Sequence, residues 1–106
     1  MIPQFEFEGG TVLAQINTGL RLLISVTDQV SAVGFRDRPR LIVYSGRNQT
    51  TVTTDIPVEI VRGPLITGQD WSDLVRYIER NRDLLIHLWN GEIGRGHYTH
   101  RQLPID

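Results

Sequence analysis

The chain has no cysteine and no lysine among its 106 residues, and it has no long apolar run. The absence of cysteine excludes disulfides, thiol catalysis and cysteine-ligated metals. No stretch approaches the roughly 20 apolar residues that a membrane span needs. The first residues, MIPQFEFEGG, also lack the basic start and apolar run of a secretory signal. We therefore expect a cytoplasmic protein with no membrane partner.

The chain also has no excess of charge of one sign, because eleven arginines nearly balance twelve acidic residues and leave a net charge of -1. A near-zero net charge argues neither for nucleic acid nor for an anionic membrane as a partner. The 40% hydrophobic and 22% charged fractions are ordinary for a folded domain. At this length we expect a single domain, 1–106, that buries a core without metal or disulfide help.

One long amphipathic helix is the clearest pattern, and we expect it within 67–91. Arg82 on its apolar stripe, and Asn81 at the margin, leave a polar gap, so the segment is either one helix with the methylenes of Arg82 along the core or two short helices. The register is the same on both sides of the gap, which favours one helix. Thr67 or Asp70 can cap the start, and Asn90-Gly91 can end it. The apolar residues at helical spacing are Trp71, Leu74, Val75, Ile78, Leu85, Leu88 and Trp89.

Residues 1–66 are rich in strand patterns. Together with the helix they predict an α+β fold, a small antiparallel sheet of five to six strands packed by one long C-terminal helix. Residues 92–106 show little periodicity, and we expect a flexible tail there. The segments with strand patterns, from which the five to six strands would come, are Gln4–Glu8, Thr11–Asn17, Leu20–Thr27, a short one at Val33 and Phe35, Leu41–Ser45, Thr50–Thr54 and Ile56–Val61.

The stretch 11–26 fits two structures. Its alternating residues favour a hairpin that turns at Asn17-Thr18-Gly19. The helical alternative arises because Val12, Ile16, Leu20 and Leu23 are also near helical spacing. Gly19 and the β-branched content favour the hairpin.

Candidate chemistry is sparse. His97 and His100 could share a metal, but a site needs further ligands, and a solvated tail explains the pair better. His87 borders the helical stripe and reads as a boundary residue rather than a catalytic base. We therefore predict no catalytic residues, no metal site and no cofactor.

Arginines at alternating positions form the main charged pattern. Arg36, Arg38 and Arg40 point the same way if the chain is extended, and Arg47 could lie near them. Such a patch could contact an anion or nucleic acid. A solvated loop that protects an edge strand from aggregation is the simpler reading.

Residues 37–93 carry a series of spaced residues, Gly63-Pro64-Leu65, Trp71 and NRDLLIHLWN at 81–90. This stretch resembles a family of small bacterial proteins of unassigned role, whose members have a Pro-Pro-His-x-His strand and a helix ending NRxLLxxxW. The chain reads Arg38-Pro39-Arg40-Leu41 where the family has its histidines. The resemblance implies a small accessory or antitoxin-like protein, since such genes often lie near toxin–antitoxin-like operons.

The leading functional hypothesis from the sequence is a non-enzymatic module that binds itself, as a homodimer, or another protein. The predicted interface residues are Trp71, Tyr77 and Trp89, because an open sheet and a Trp-bearing helix suit association. The alternative is a nucleic-acid-linked or antitoxin-like role through Arg36, Arg38, Arg40 and Arg47.

Overall fold

A computed structural model describes residues 11–13, 15–30 and 38–105. Its centre is a five-stranded antiparallel sheet whose strands lie side by side in sequence order, and a long C-terminal helix accompanies it, so the predicted α+β fold is confirmed. No helix within the described ranges is long and apolar enough to cross a membrane. The strands are β1 (Thr11–Leu13), β2 (Leu23–Val26), β3 (Arg40–Ser45), β4 (Asn48–Thr53) and β5 (Ile60–Arg62), and the helices are α1 (Gln15–Thr18), α2 (Gly68–Trp89) and α3 (Arg95–Arg101).

The hairpin of β3 and β4 forms the middle of the sheet. Its register pairs Arg40 with Thr53 and Ser45 with Asn48, which leaves only Gly46 and Arg47 in the turn. The sequence prediction placed a longer loop there and began the second strand at Thr50. The strand starts earlier because a two-residue turn suffices to join antiparallel strands.

The stretch 11–26 is a hairpin with a helical insertion. Thr11 pairs with Val26 and Leu13 with Ile24, so the predicted antiparallel pairing is confirmed. The strands are shorter than predicted, since 15–18 form a helical turn. Leu20, which follows that turn, is 3% exposed and belongs to the core. The strands predicted at 4–8 and around Val33 and Phe35 lie outside the described residues.

The last strand is the least well predicted. We expected it at 56–61, whereas β5 covers only Ile60–Arg62. Pro57 lacks the backbone N–H that a strand ladder needs. Its peptide bond with Ile56 is cis, and residues 55–59 form a loop.

Helix α2 is continuous, as the matching registers on both sides of Asn81 predicted. Asn90 is its C-cap and Gly91 has a φ of +77°. The N–H of Gly91 donates to the carbonyl of Leu88, and the N–H of Glu92 to that of His87. This pair of bonds is a Schellman motif. Thr67 is the N-cap, although its side chain makes no capping hydrogen bond.

The core lies between the sheet and α2. One face of the sheet contributes alternate residues of the strands, because neighbouring residues on a strand point to opposite faces. From α2 the buried side chains include Asn81, which the sequence placed only at the stripe's margin. The buried cluster comprises Leu13, Leu20, Ile24, Val26, Leu41, Val43, Val52, Leu74, Tyr77, Ile78, Leu85, Leu88 and Tyr98.

The segment after α2 differs from the flexible tail that we expected. Residues 95–101 form α3, and Tyr98 is 0% exposed. The hydroxyl of Tyr77 donates to Gln102 Oε1 at 2.7 Å and lies 2.8 Å from the hydroxyl of Tyr98. Since Tyr77 has one proton, Tyr98 donates to Tyr77. Low periodicity did not mean disorder here, because buried hydrogen bonds hold the segment.

Further bonds fix the residues that follow α3. The Asn81 amide donates to the Leu103 carbonyl at 2.8 Å and accepts from the Leu103 N–H at 2.7 Å. Gln102 Nε2 donates to the carbonyl of Asn17, and the N–H of Ile105 donates to the carbonyl of Thr18. The segment therefore joins α2 to the helical turn near the start of the sheet.

The two buried tyrosines predict a loss of stability at alkaline pH. Burial raises the pKa of Tyr77 to about 12, although its bond with Tyr98 lowers it in part, and burial raises the pKa of Tyr98 further. An unfolded tyrosine titrates near 10. This contribution to stability is fully present below about pH 10, where both tyrosines are protonated in the folded and in the unfolded chain. It is lost as the pH rises towards the pKa values of the folded chain. Between pH 10 and 11 we expect the free energy of unfolding to fall by about 1 kcal/mol per tyrosine, because the unfolded tyrosine ionises over this range, and urea unfolding measures the fall. Tyr98→Phe should halve the fall in the free energy of unfolding per pH unit. An unchanged fall would contradict the contribution of Tyr98.

Candidate protein-binding groove

An open groove of about 430 Å³ lies between the flank of α2 and the loop 55–59. Most of its lining residues are apolar, so the walls bring several hydrophobic side chains together at the surface. Ile56 is 76% exposed, and Trp71 and Val75 are half-buried. The lining residues are Ile56, Pro57, Val58, Trp71, Val75, Glu79 and Arg82.

Helical geometry explains why Trp71 and Val75 lie at the groove. They are one turn apart, and each sits at the edge of the stripe that faces the sheet. The sequence prediction assigned both to the core face, but the buried residues of α2 follow a stripe through Leu74, Ile78 and Leu85. The helical period is too coarse to separate the centre of an apolar stripe from its edge.

Arg82 also behaves as the single-helix prediction required. Its side chain is half-buried, and its Nε donates to the carbonyl of Thr54 at 3.1 Å. The charged head thus stays at the rim of the groove while the helix continues unbroken beneath it.

The opposite wall of the groove is held by Arg38. Its Nε lies 3.2 Å from both carboxylate oxygens of Asp55, and its Nη2 lies 2.6 Å from one of them. Nη1 contacts Glu59, and Nη2 donates to the carbonyl of Pro57 at 3.1 Å. Hydrogen bonds to Asp55 and Glu59 raise the pKa of Arg38 above its usual value. A guanidinium with several charge-assisted bonds gives a loop a fixed shape.

Thr53 adds a second anchor to the same loop. Its hydroxyl donates to the carbonyl of Pro57 at 3.0 Å and accepts from the N–H of Glu59 at 2.9 Å. The backbone N–H of Thr53 donates to the carbonyl of Glu59 at 2.9 Å. The loop is therefore a preformed wall, and its exposed Ile56 costs little ordering entropy if a partner covers it.

The three arginines of the predicted patch that the structure describes do not come together. Arg38 is engaged by two carboxylates, and Arg40 is 6% exposed with its guanidinium 5.9 Å from the centroid of the Trp89 ring. Arg47 lies in the turn at the other end of β3, which a six-residue strand places about 20 Å from Arg40. Arg36 lies outside the described residues. The alternation that suggested the patch does not account for burial or for carboxylates distant in sequence.

Of the three predicted interface residues, only Trp71 reaches the surface. Tyr77 is 0% exposed and Trp89 is 4% exposed, so both are packed within the chain and offer no area to a partner. The sequence missed the other groove residues because Ile56, Pro57 and Val58 were assigned to a strand. Pro57 was the one signal in the sequence that pointed to a loop.

The histidines stay apart from the groove. His87 contacts Glu92, and both side chains are more than half exposed, which is typical of a surface pair. His97 and His100 are exposed on α3. Among residues 11–13, 15–30 and 38–105, no group of three or more acidic or histidine side chains could hold a metal ion.

No family model, curated protein or solved structure matches the chain. The geometry of the groove is therefore the basis for a functional assignment.

Proposed function

We propose that the protein is a non-enzymatic binding module that pairs with a second copy of itself through the groove. The observation that supports this proposal is an exposed apolar groove whose rim carries both an acid, Glu79, and a base, Arg82, on one helix. A surface that carries both charges can satisfy each of them on an identical surface turned by a two-fold axis.

The charge balance of the chain also favours self-association. A net charge of -1 gives two copies little mutual repulsion. The apolar walls supply the free energy, since burying apolar surface is the main driving force of association. The arginines give a nucleic-acid role less support, because Arg38 and Arg40 are engaged or buried within the chain.

Val75→Glu is expected to abolish the dimer, because it places a charge on the apolar wall that a second copy would cover. Sedimentation equilibrium over about 1 µM to 1 mM, a range chosen to detect weak pairing, measures the effect. Ile56→Asp should act in the same direction, and at 76% exposure it leaves the core intact.

The matched control is Leu103→Glu. Leu103 is also an exposed aliphatic residue, at 47%, and its backbone binds Asn81 on the buried side of α2. This variant should dimerise like the unmodified chain. A strict monomer for the unmodified chain over the whole range would overturn the proposal.

A further inference from the structure

The flank of α2 that borders the groove carries a regular series of residues. Trp71, Val75, Glu79, Arg82 and Ile86 follow one another at intervals of four, four, three and four, so they lie along one face of the helix. Four of them are half-buried and Glu79 is exposed. We call this series the outer stripe.

The four residues of the outer stripe from 75 to 86 are symmetric about their midpoint: an apolar residue lies at each end, and a charged residue lies four positions inside it. Val75 precedes Glu79 by four residues, and Arg82 precedes Ile86 by four residues. The midpoint lies between residues 80 and 81. A two-fold axis there would set Val75 opposite Ile86 and Glu79 opposite Arg82, and each pair would occur twice.

We propose that α2 of the second copy fills the groove, antiparallel to the first and in this register. This inference rests on the proposed self-association and adds the partner element and its direction. Ile86 of the second copy would enter the groove beside Val75 and Ile56. Among the described residues, Arg82 donates a hydrogen bond through its Nε, to the carbonyl of Thr54. Its two terminal nitrogens can therefore reach Glu79 of the second copy.

The opposite direction is disfavoured by charge. A parallel pair in register would place Glu79 against Glu79 and Arg82 against Arg82, and like charges at facing positions destabilise a helix pair. It would also align the two helix dipoles. The antiparallel arrangement removes both costs.

Cysteine cross-linking can test the register directly, because the chain has no cysteine of its own. Val75→Cys and Ile86→Cys are prepared as separate proteins, one of them tagged, then mixed and oxidised. We expect a disulfide-linked dimer of one tagged and one untagged chain, up to about half of the total by random pairing. Neither protein should cross-link with itself, since like positions would lie about 16 Å apart along the helix axis.

The matched control for cross-linking is Arg80→Cys mixed with Ile86→Cys. Arg80 is exposed and lies on the other side of α2 from the outer stripe, so this mixture should give no specific disulfide. Cross-linking of Val75→Cys with itself would overturn the antiparallel register.

Charge exchange gives a second, independent test. Glu79→Arg and Arg82→Glu should each weaken the dimer about tenfold or more, because each homodimer would then hold two like-charge pairs. Mixing the two variants, or combining both changes in one chain, should restore the original affinity. Failure of both restorations would overturn the pairing of Glu79 with Arg82.

The outcomes separate this inference from the proposed function. A dimer in sedimentation that gives neither the mixed disulfide nor the charge rescue overturns the antiparallel α2 pair and leaves self-association standing. A strict monomer overturns both.

Discussion

Tyr98→Ala is expected to lower the free energy of unfolding by about 3–5 kcal/mol, the range for truncating a large buried aromatic side chain. Tyr98 is 0% exposed and packs in the core although it belongs to the short helix α3. Its removal would leave a cavity and would take away the hydrogen bond that the Tyr77 hydroxyl accepts. Urea unfolding followed by circular dichroism measures the change.

Tyr98→Phe is the matched control. It keeps the ring and removes only the hydroxyl, and Tyr77 still donates to Gln102. The expected loss is about 0.5–1.5 kcal/mol, the net value of one hydrogen bond. A loss of less than about 0.5 kcal/mol in the free energy of unfolding for Tyr98→Ala would contradict the packing of α3 on the core.

Gly63→Ala is expected to cost about 3 kcal/mol or more, because backbone strain and a steric clash add. The φ of Gly63 is +96°, a conformation that alanine rarely adopts. A Cβ there would lie 2.2 Å from the carbonyl oxygen of Gln49, an atom of the adjoining strand that cannot turn aside. Thermal unfolding of the variant gives the size of the loss.

Gly91→Ala separates the two causes. Its φ is +77°, but nothing lies within 4 Å of its added Cβ, so only the strain remains. We expect about 1–2 kcal/mol for it. Equal losses in the two variants would show that the approach of Gln49 to Gly63 does not matter.

The parts of the fold that the sequence predicted are those with local causes. The 3.6-residue period marked α2, and Asn90-Gly91 marked its end, because both signals act within a few turns of the helix. The strand LIVYS was equally clear, since its β-branched and aromatic residues suit a buried strand. These features depend on neighbours in sequence.

The parts that were missed depend on contacts distant in sequence. Arg38 meets Asp55 and Glu59, which are 17 and 21 residues away, so alternation alone suggested an exposed patch. Tyr98 and Leu103 are held by Tyr77 and Asn81 of α2, and no local pattern announces those bonds. Trp71 was correctly placed on the helix. Its position at the edge of the buried stripe depends on the loop 55–59 that lies beside it, which the sequence did not predict.

The bonds from Gln102 to Asn17 and from Ile105 to Thr18 have a consequence for biosynthesis. They connect points more than 80 residues apart, so they add to the contact order of the fold and slow its completion. On the ribosome, the sheet and α2 can form first. At that point the hydroxyl of Tyr77 and the amide of Asn81 lack their hydrogen-bond partners, because residues 98–103 are still inside the exit tunnel. Nascent chains should therefore remain accessible to proteases and chaperones until residues 98–105 have emerged.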